Sequence, residues 1–117
     1  MSYEYESLFR RIFVRMLSDS QVSVGRLSAQ LNVSRRTIQD VIRTRTGKSY
    51  RRLREEIFVA RARQLLADNP CRSIKEVSYL VGFASTSSFA RAVKRATGLS
   101  PEDLRSQVAA NKDVRTP

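Results

Sequence analysis

Arg36 and Gln39 stand three residues apart in a stretch of helical pattern, so both side chains leave the same face of that helix. Their chemistry fits base edges: a guanidinium fork matches O6 and N7 of guanine, and a carboxamide pairs with N6 and N7 of adenine. Arg35 and Asp40 extend the set. Asp40 can accept from cytosine N4, or it can pair with Arg36 at i,i+4 or Arg43 at i,i+3 and orient them; orientation is the favoured expectation. A second set, Thr86, Ser87, Ala90 and Arg91, follows the same layout, and Arg91 takes the position equivalent to Asp40 at an offset of 51. Arg91 is the expected specific reader of this set, with Thr86 and Ser87 in reach of bases or thymine methyls. Arg43, Lys94 and Arg95 lie further along and are expected to serve phosphates, as are hydroxyls at the helix starts, Ser23, Ser34, Ser73 and Ser85. Singly, each of these is an ordinary solvated surface residue. Two separate stretches that place such residues at matching positions make that reading weaker.

The elements that must hold these residues are themselves duplicated. In Val24 to Gly47, Leu27 and Leu31 mark the inner face of a short helix capped by Ser23. Asn32 stops it, Val33 drops back as a plug, and Ser34 caps a further helix with Ile38, Val41 and Ile42 inward. In Ile74 to Gly98 the pattern returns, with Ser73 and Glu76 as a capping box and Ile74, Val77, Leu80 and Val81 expected on the apolar face. Gly82 takes the place of Asn32, Phe83 that of Val33, and Ser85 caps a helix with Phe89, Ala92, Val93 and Ala96 inward. The offset is 50 before the turn and 51 after it, one residue, Ala84, being inserted. Each copy closes on Thr-Gly and reopens on a serine: Thr46, Gly47 and Ser49, then Thr97, Gly98 and Ser100. Helix, tight turn, helix, twice, is the expected architecture.

Around the copies, Tyr5 to Leu17 reads as an amphipathic helix with Leu8, Phe9, Ile12, Phe13, Met16 and Leu17 as its stripe. Tyr50 to Ala67 reads as one long helix ended by Asn69-Pro70, with Tyr50, Leu53, Ile57, Ala60, Leu65 and Leu66 apolar. At 1.5 Å per residue it would span about 27 Å and act as a stiff spacer. Ser100-Pro101-Glu102-Asp103 opens a last helix, and the polar end is expected to fray. The fold expected is all-α, with about seven helices: an N-terminal helix plus first helix-turn-helix over 1–48, a connecting helix over 49–68, a second helix-turn-helix over 69–109 and a frayed tail over 110–117.

Composition bounds the function. The 117 residues suit one ordinary domain or two very small lobes, and 22 Lys and Arg, 18 of them Arg, against 11 Asp and Glu give a net charge of +11. Such a balance points to a polyanionic partner, the planar Arg fork being suited to phosphate and guanine. There is no His, and Cys71 is the single Cys, so a disulfide framework, a Cys/His zinc site and His-dependent catalytic triads fall away. No cofactor is expected. No run approaches the roughly 18 apolar residues of a membrane span, so a soluble, cytoplasmic, nucleoid-associated protein is expected.

The run SIKEVSYLVGFASTSSFARAVKRATGLSPEDLR, Ser73 to Arg105, resembles the C-terminal signature of AraC/XylS-type bacterial transcription regulators, and the similarity extends from about Val22 to Arg105. The resemblance implies two helix-turn-helix units that insert their recognition helices into successive major grooves of double-stranded DNA, more often as an activator, with RNA polymerase as a further partner. Two positions depart from the pattern: Asp40 stands where members often carry a base-reading Arg, and Phe58 where the connecting helix often carries Arg. The second implies a local repacking. With Asp40 opposite Arg91 and Gln39 opposite Ala90, the expected site is asymmetric, about 20 base pairs long, bound by a monomer through about 6 to 10 phosphate contacts. Dimerisation is expected to need a domain outside this chain. Two readings from other classes stand beside this one: a protein-interaction module whose basic faces meet an acidic partner, and a DNA-repair alkyl transferase using Cys71.

Overall fold

Serine hydroxyls set the start of six of the seven helices in the computed structural model, which describes the backbone of residues 3–115 and the side chains of 4–111. The helices are α1 (Tyr3–Ser18), α2 (Val24–Leu31), α3 (Arg35–Thr46), α4 (Tyr50–Asp68), α5 (Ile74–Val81), α6 (Thr86–Thr97) and α7 (Pro101–Arg115), with no strand among the described residues. Ser23, Ser34, Ser73 and Ser85 each accept a backbone N–H three residues on at 3.0–3.1 Å, and Ser49 and Ser100 do the same for Arg52 and Asp103 at 3.1 Å. Each bond satisfies a donor that the first turn of a helix leaves without an internal partner.

The repeat is carried down to single hydrogen bonds. Asn32, at φ 56°, and Gly82, at φ 105°, both turn the chain in the left-handed region after α2 and α5. The amide of Val33 then donates to Ser28 O at 3.2 Å, and that of Phe83 to Ser78 O at 2.9 Å, an offset of 50 at both ends. After the turn the offset is 51: Thr46 Oγ1 donates to Ile42 O at 2.7 Å and Thr97 Oγ1 to Val93 O at 2.8 Å. The Thr hydroxyls also accept from Lys48 N and Leu99 N, both at 3.1 Å, so each Thr-Gly stop is tied to its own helix.

The chain divides into two compact units, Met1–Ile57 and Phe58–Pro117, each with its own apolar core. In the first, Ile12 and Met16 from α1 meet Leu27, Leu31, Ile38, Val41 and Ile42, and Tyr50, Leu53 and Ile57 of α4 complete the cluster. In the second, Phe58, Ala62 and Leu66 of α4 meet Val77, Val81, Phe89, Ala92, Val93 and Leu104. Helix α4 is therefore not a separate connecting element. It divides between Ile57 and Phe58, and its apolar residues form two stripes, each belonging to a different core.

That division corrects several expectations. Ala60, drawn into a single continuous stripe, is exposed, and Ala62, at 0% exposure, takes the inward place. Leu17 is 48% exposed because it stands about 100° around the helix from Met16, off the face that Ile12 and Met16 bury. Leu80 is 48% exposed as well: α5 is two turns long, and Val77, Ser78 and Val81 already fill the arc that meets the core. The expected tail is helical through Arg115, with Val108, Ala109 and Ala110 extending α7; residues 116 and 117 of that expectation lie outside the described residues. Phe58 is buried in the second core. It lies 5.3 Å from the Phe83 ring and 5.9 Å from Phe89, which are themselves 5.7 Å apart, making a closed aromatic trio around the plug of the second turn.

Candidate nucleic-acid interface

The first turns of α3 project what the second unit's α6 projects, because each helix buries its far side on the short helix before it. In the first unit Ile38, Val41 and Ile42 face inward, so Arg36, Gln39, Asp40 and Arg43 are left in solvent. In the second, Phe89, Ala92 and Val93 face inward, which leaves Ser87, Arg91, Lys94 and Arg95 exposed, with Thr86 and Ala90 half-buried at the edge. The helix starts offer their N–H groups and the positive end of the helix dipole beside these side chains.

Asp40 pairs with Arg36 one turn back on α3. Its Oδ2 is 3.9 Å from Arg36 Nε, with 91% of the Arg36 side chain and 58% of the Asp40 side chain in solvent. A pair so exposed contributes only about 0.3–0.5 kcal/mol of stability.

Arg35 departs from the expected set. A Cβ built on Gly25 would come within 2.8 Å of the Arg35 guanidinium, so this side chain folds back over the first turn of α2 instead of standing beside Arg36 and Gln39. Glycine at 25 is what leaves it room. Lys94 is also partly engaged, its ammonium donating to Gly98 O at 2.9 Å at the end of α6, with two further N–H donors remaining. Of the four hydroxyls expected at phosphates, Ser23 and Ser73 use their lone pairs as caps and keep a hydrogen to donate. Ser85 donates to Ser88 Oγ at 3.0 Å, and Ser34 shares a 2.8 Å hydroxyl pair with Thr37.

One contributor was not singled out by its sequence. A cleft of about 470 Å³ is lined by Gln39, Asp40 and Arg43 from α3, Val24 from α2, and Ser49, Tyr50 and Arg51 at the start of α4. Arg51 is exposed there and adds a cation next to Gln39 and Asp40 of α3. Its signal lay in the sequence as Arg51-Arg52 two residues after the Ser49 cap, but only the return of the chain at Gly47 brings it beside Gln39.

Cys71 is an exposed free thiol whose amide donates to Asn69 Oδ1 at 3.0 Å, and no group of His, Cys, Asp or Glu among the described residues could hold a metal.

A family described as a helix-turn-helix domain matches residues 27–107. The Msm operon regulatory protein of Streptococcus mutans is 32% identical over 92 residues, 79% of this chain and 33% of that protein. The transcriptional activator RhaS of Yersinia pestis is 25% identical over 131 aligned positions, 89% of this chain and 47% of that protein. The chain thus spans a third to a half of the length of these curated relatives. The crystal structure of the DNA-binding domain of AdpA in complex with a target DNA superposes with a TM-score of 0.73 at 26% identity, over 90% of this chain and 96% of that one.

Proposed function

Since this chain belongs to the AraC-type helix-turn-helix family, we propose that it is a sequence-specific DNA-binding unit of a transcription regulator, with α3 and α6 as its two recognition helices. One observation carries the reading. At the same places in the repeat, both helices turn polar and cationic side chains to solvent over their first two turns, while their backs are sealed against separate cores. Direct readout needs such a helix in a major groove, and two of them per chain suit adjacent grooves.

The division of labour follows from position. Arg36, paired with Asp40, and Gln39 read bases in the first unit, and Arg91 reads in the second with Thr86 and Ser87 beside it. Arg43, Arg51, Lys94 and Arg95 grip phosphates together with the helix-start hydroxyls, and Arg35 joins them from its place over α2. Because the two helices carry different readers, the site is asymmetric and covers about 20 base pairs. Activation, contact with RNA polymerase and dimerisation through another domain belong to the same reading; the relative named an activator supports the first. The family's regulators are not enzymes, so the alkyl-transferase reading of Cys71 lapses. No described helix is long and apolar enough to cross a membrane, and a cytoplasmic, nucleoid-associated location follows from the proposed partner.

Selection of bound sequences from a random duplex library, followed by footprinting, tests the proposal. An asymmetric motif with protection over about two helical turns is expected. Salt-labile binding without sequence preference would overturn it and favour a basic protein-interaction module.

A further inference from the structure

The cations of α1 line a groove that shares no lining residue with the cleft beside Gln39 and Asp40, and nothing in the proposed DNA reading uses them. Arg10, Arg11 and Arg15 rise along one flank of α1, next to Val14, which is 59% exposed. Opposite them lies the last turn of α2, where Gln30 Oε1 accepts from Arg15 Nη1 at 3.2 Å and Leu31 forms the floor together with Val22. The groove is open to solvent and measures about 540 Å³, within the range of about 300–1,000 Å³ that takes small organic ligands. No ion pair of Arg10 or Arg11 occurs among the described residues, whereas Arg45 on α3 is paired with Glu6 at 2.9 Å.

We propose that this groove between α1 and the end of α2 is a binding site for a small amphipathic monocarboxylate, its anion held by Arg10 and Arg11 and its apolar body laid on Val14 and Leu31. The chemistry of the lining decides the class. Guanidinium forks select a planar oxyanion, and they cannot by themselves explain the apolar floor between them and Val22. A purely inorganic anion would leave that floor wet, and a neutral apolar molecule would leave the forks without a partner. Asp19, at the other end of the α1 flank, argues against a nucleic-acid strand. It directly follows Ser18, the last residue of α1, which lies about 12 Å along the helix from Arg10, and a polyanion laid along the groove would run onto its carboxylate, which also accepts from Gln21 N at 3.0 Å.

The site also has a way to act. Gln30 and Leu31 directly precede Asn32, whose left-handed conformation sets the turn into α3. A ligand that fixes Gln30 and Leu31 therefore bears on the residues that aim the recognition helix.

Titration of the isotope-labelled full chain, without DNA, tests the site independently of any DNA reading. Sodium hexanoate is the probe, with 1-hexanol and inorganic phosphate as the apolar-only and anion-only arms. Hexanoate should give saturating amide shifts centred on Val14, Ser18, Gln30 and Leu31, binding about tenfold more tightly than either partial probe. Arg11→Ala should weaken hexanoate about tenfold, while Arg61→Ala, an exposed cation outside the groove, should not. Phosphate binding equal to hexanoate would reduce the groove to an anion patch and overturn the proposal. So would hexanoate shifts centred on α3 or α6, equal losses in the two Arg variants, or no saturation.

Discussion

Arg36 and Asp40 face each other across one turn of α3, Nε to Oδ2 at 3.9 Å, with both side chains largely in solvent. Neither the contact nor the exposure makes this a stabilising pair of any size. Asp40 also lines the cleft it shares with Gln39, Arg43 and Arg51, and the role proposed for its carboxylate is to orient the Arg36 guanidinium.

Asp40→Ala should therefore raise general affinity, by removing an acid from a face that meets phosphates, and broaden the base preference at the position Arg36 contacts. Site selection with the variant checks this. A clean switch of preference at a different position, with the Arg36 position untouched, would mean that Asp40 itself reads a cytosine.

Arg91 and Lys94 lie three apart on α6 and should fail differently. Arg91→Ala should cost about 1–3 kcal/mol on the preferred site and relax one base position. Lys94→Ala should weaken all sequences alike and lower the slope of log affinity against log salt by about 1. Binding isotherms on preferred and scrambled duplexes over a salt series separate the two. Lys94 also holds Gly98 O, so a thermal melt of that variant is the necessary companion measurement.

Phe58 closes the aromatic trio with Phe83 and Phe89 at 4% exposure, so Phe58→Ala should destabilise the second unit by about 3–5 kcal/mol. Urea unfolding followed by amide signals of each unit should show residues of α5 and α6 melting early. A loss below about 1 kcal/mol would mean the trio is not a packing centre.

Tyr50 gives a pH dependence. Its hydroxyl donates to Val22 O at 2.6 Å inside the first core, and burial, opposed by Arg54 and helped by Asp19, pushes its pKa up to about 12. The raised value favours the neutral phenol in the folded state. That stabilisation is fully present below the unfolded value near 10 and is lost as pH rises from there to about 12. The first unit should thus weaken above pH 10, as followed by unfolding midpoints. Tyr50→Phe should cost about 1–3 kcal/mol at neutral pH, since Val22 O is left without its donor, and flatten the alkaline loss. An unchanged alkaline loss in the variant would assign it to another group.

Asn32 and Gly82 hold equivalent left-handed turns with different residues. Gly82→Ala, at φ 105°, should cost about 1–2 kcal/mol, whereas Asn32→Gly, at φ 56°, should be nearly neutral. Denaturation midpoints of the two variants decide the comparison. A Gly82→Ala variant as stable as the parent would show that the second turn relaxes.

Much of the architecture could be read along the chain because its determinants are local. A serine cap needs only the amide three residues on, a left-handed stop needs only Asn or Gly, and the inward residues of a short helix recur at its own period. Ser23, Ser34, Asn32, Gly82, Ile38 and Phe89 are all where such rules put them, and the duplicated offsets of 50 and 51 appear again as duplicated hydrogen bonds. The exposure of Arg36, Gln39, Asp40 and Arg91 follows from the same periodicity. What depends on which helix packs against which was decided only in three dimensions. Spacing alone could not say that α4 serves two cores and turns Ala62 inward instead of Ala60, or that Leu17 and Leu80 stay exposed. It could not fold Arg35 back onto Gly25, bring Arg51 beside Gln39, or leave a cationic groove on the α1 flank. Those are relations between segments distant in sequence, set by the volume and shape that packing leaves over, and no local rule encodes them.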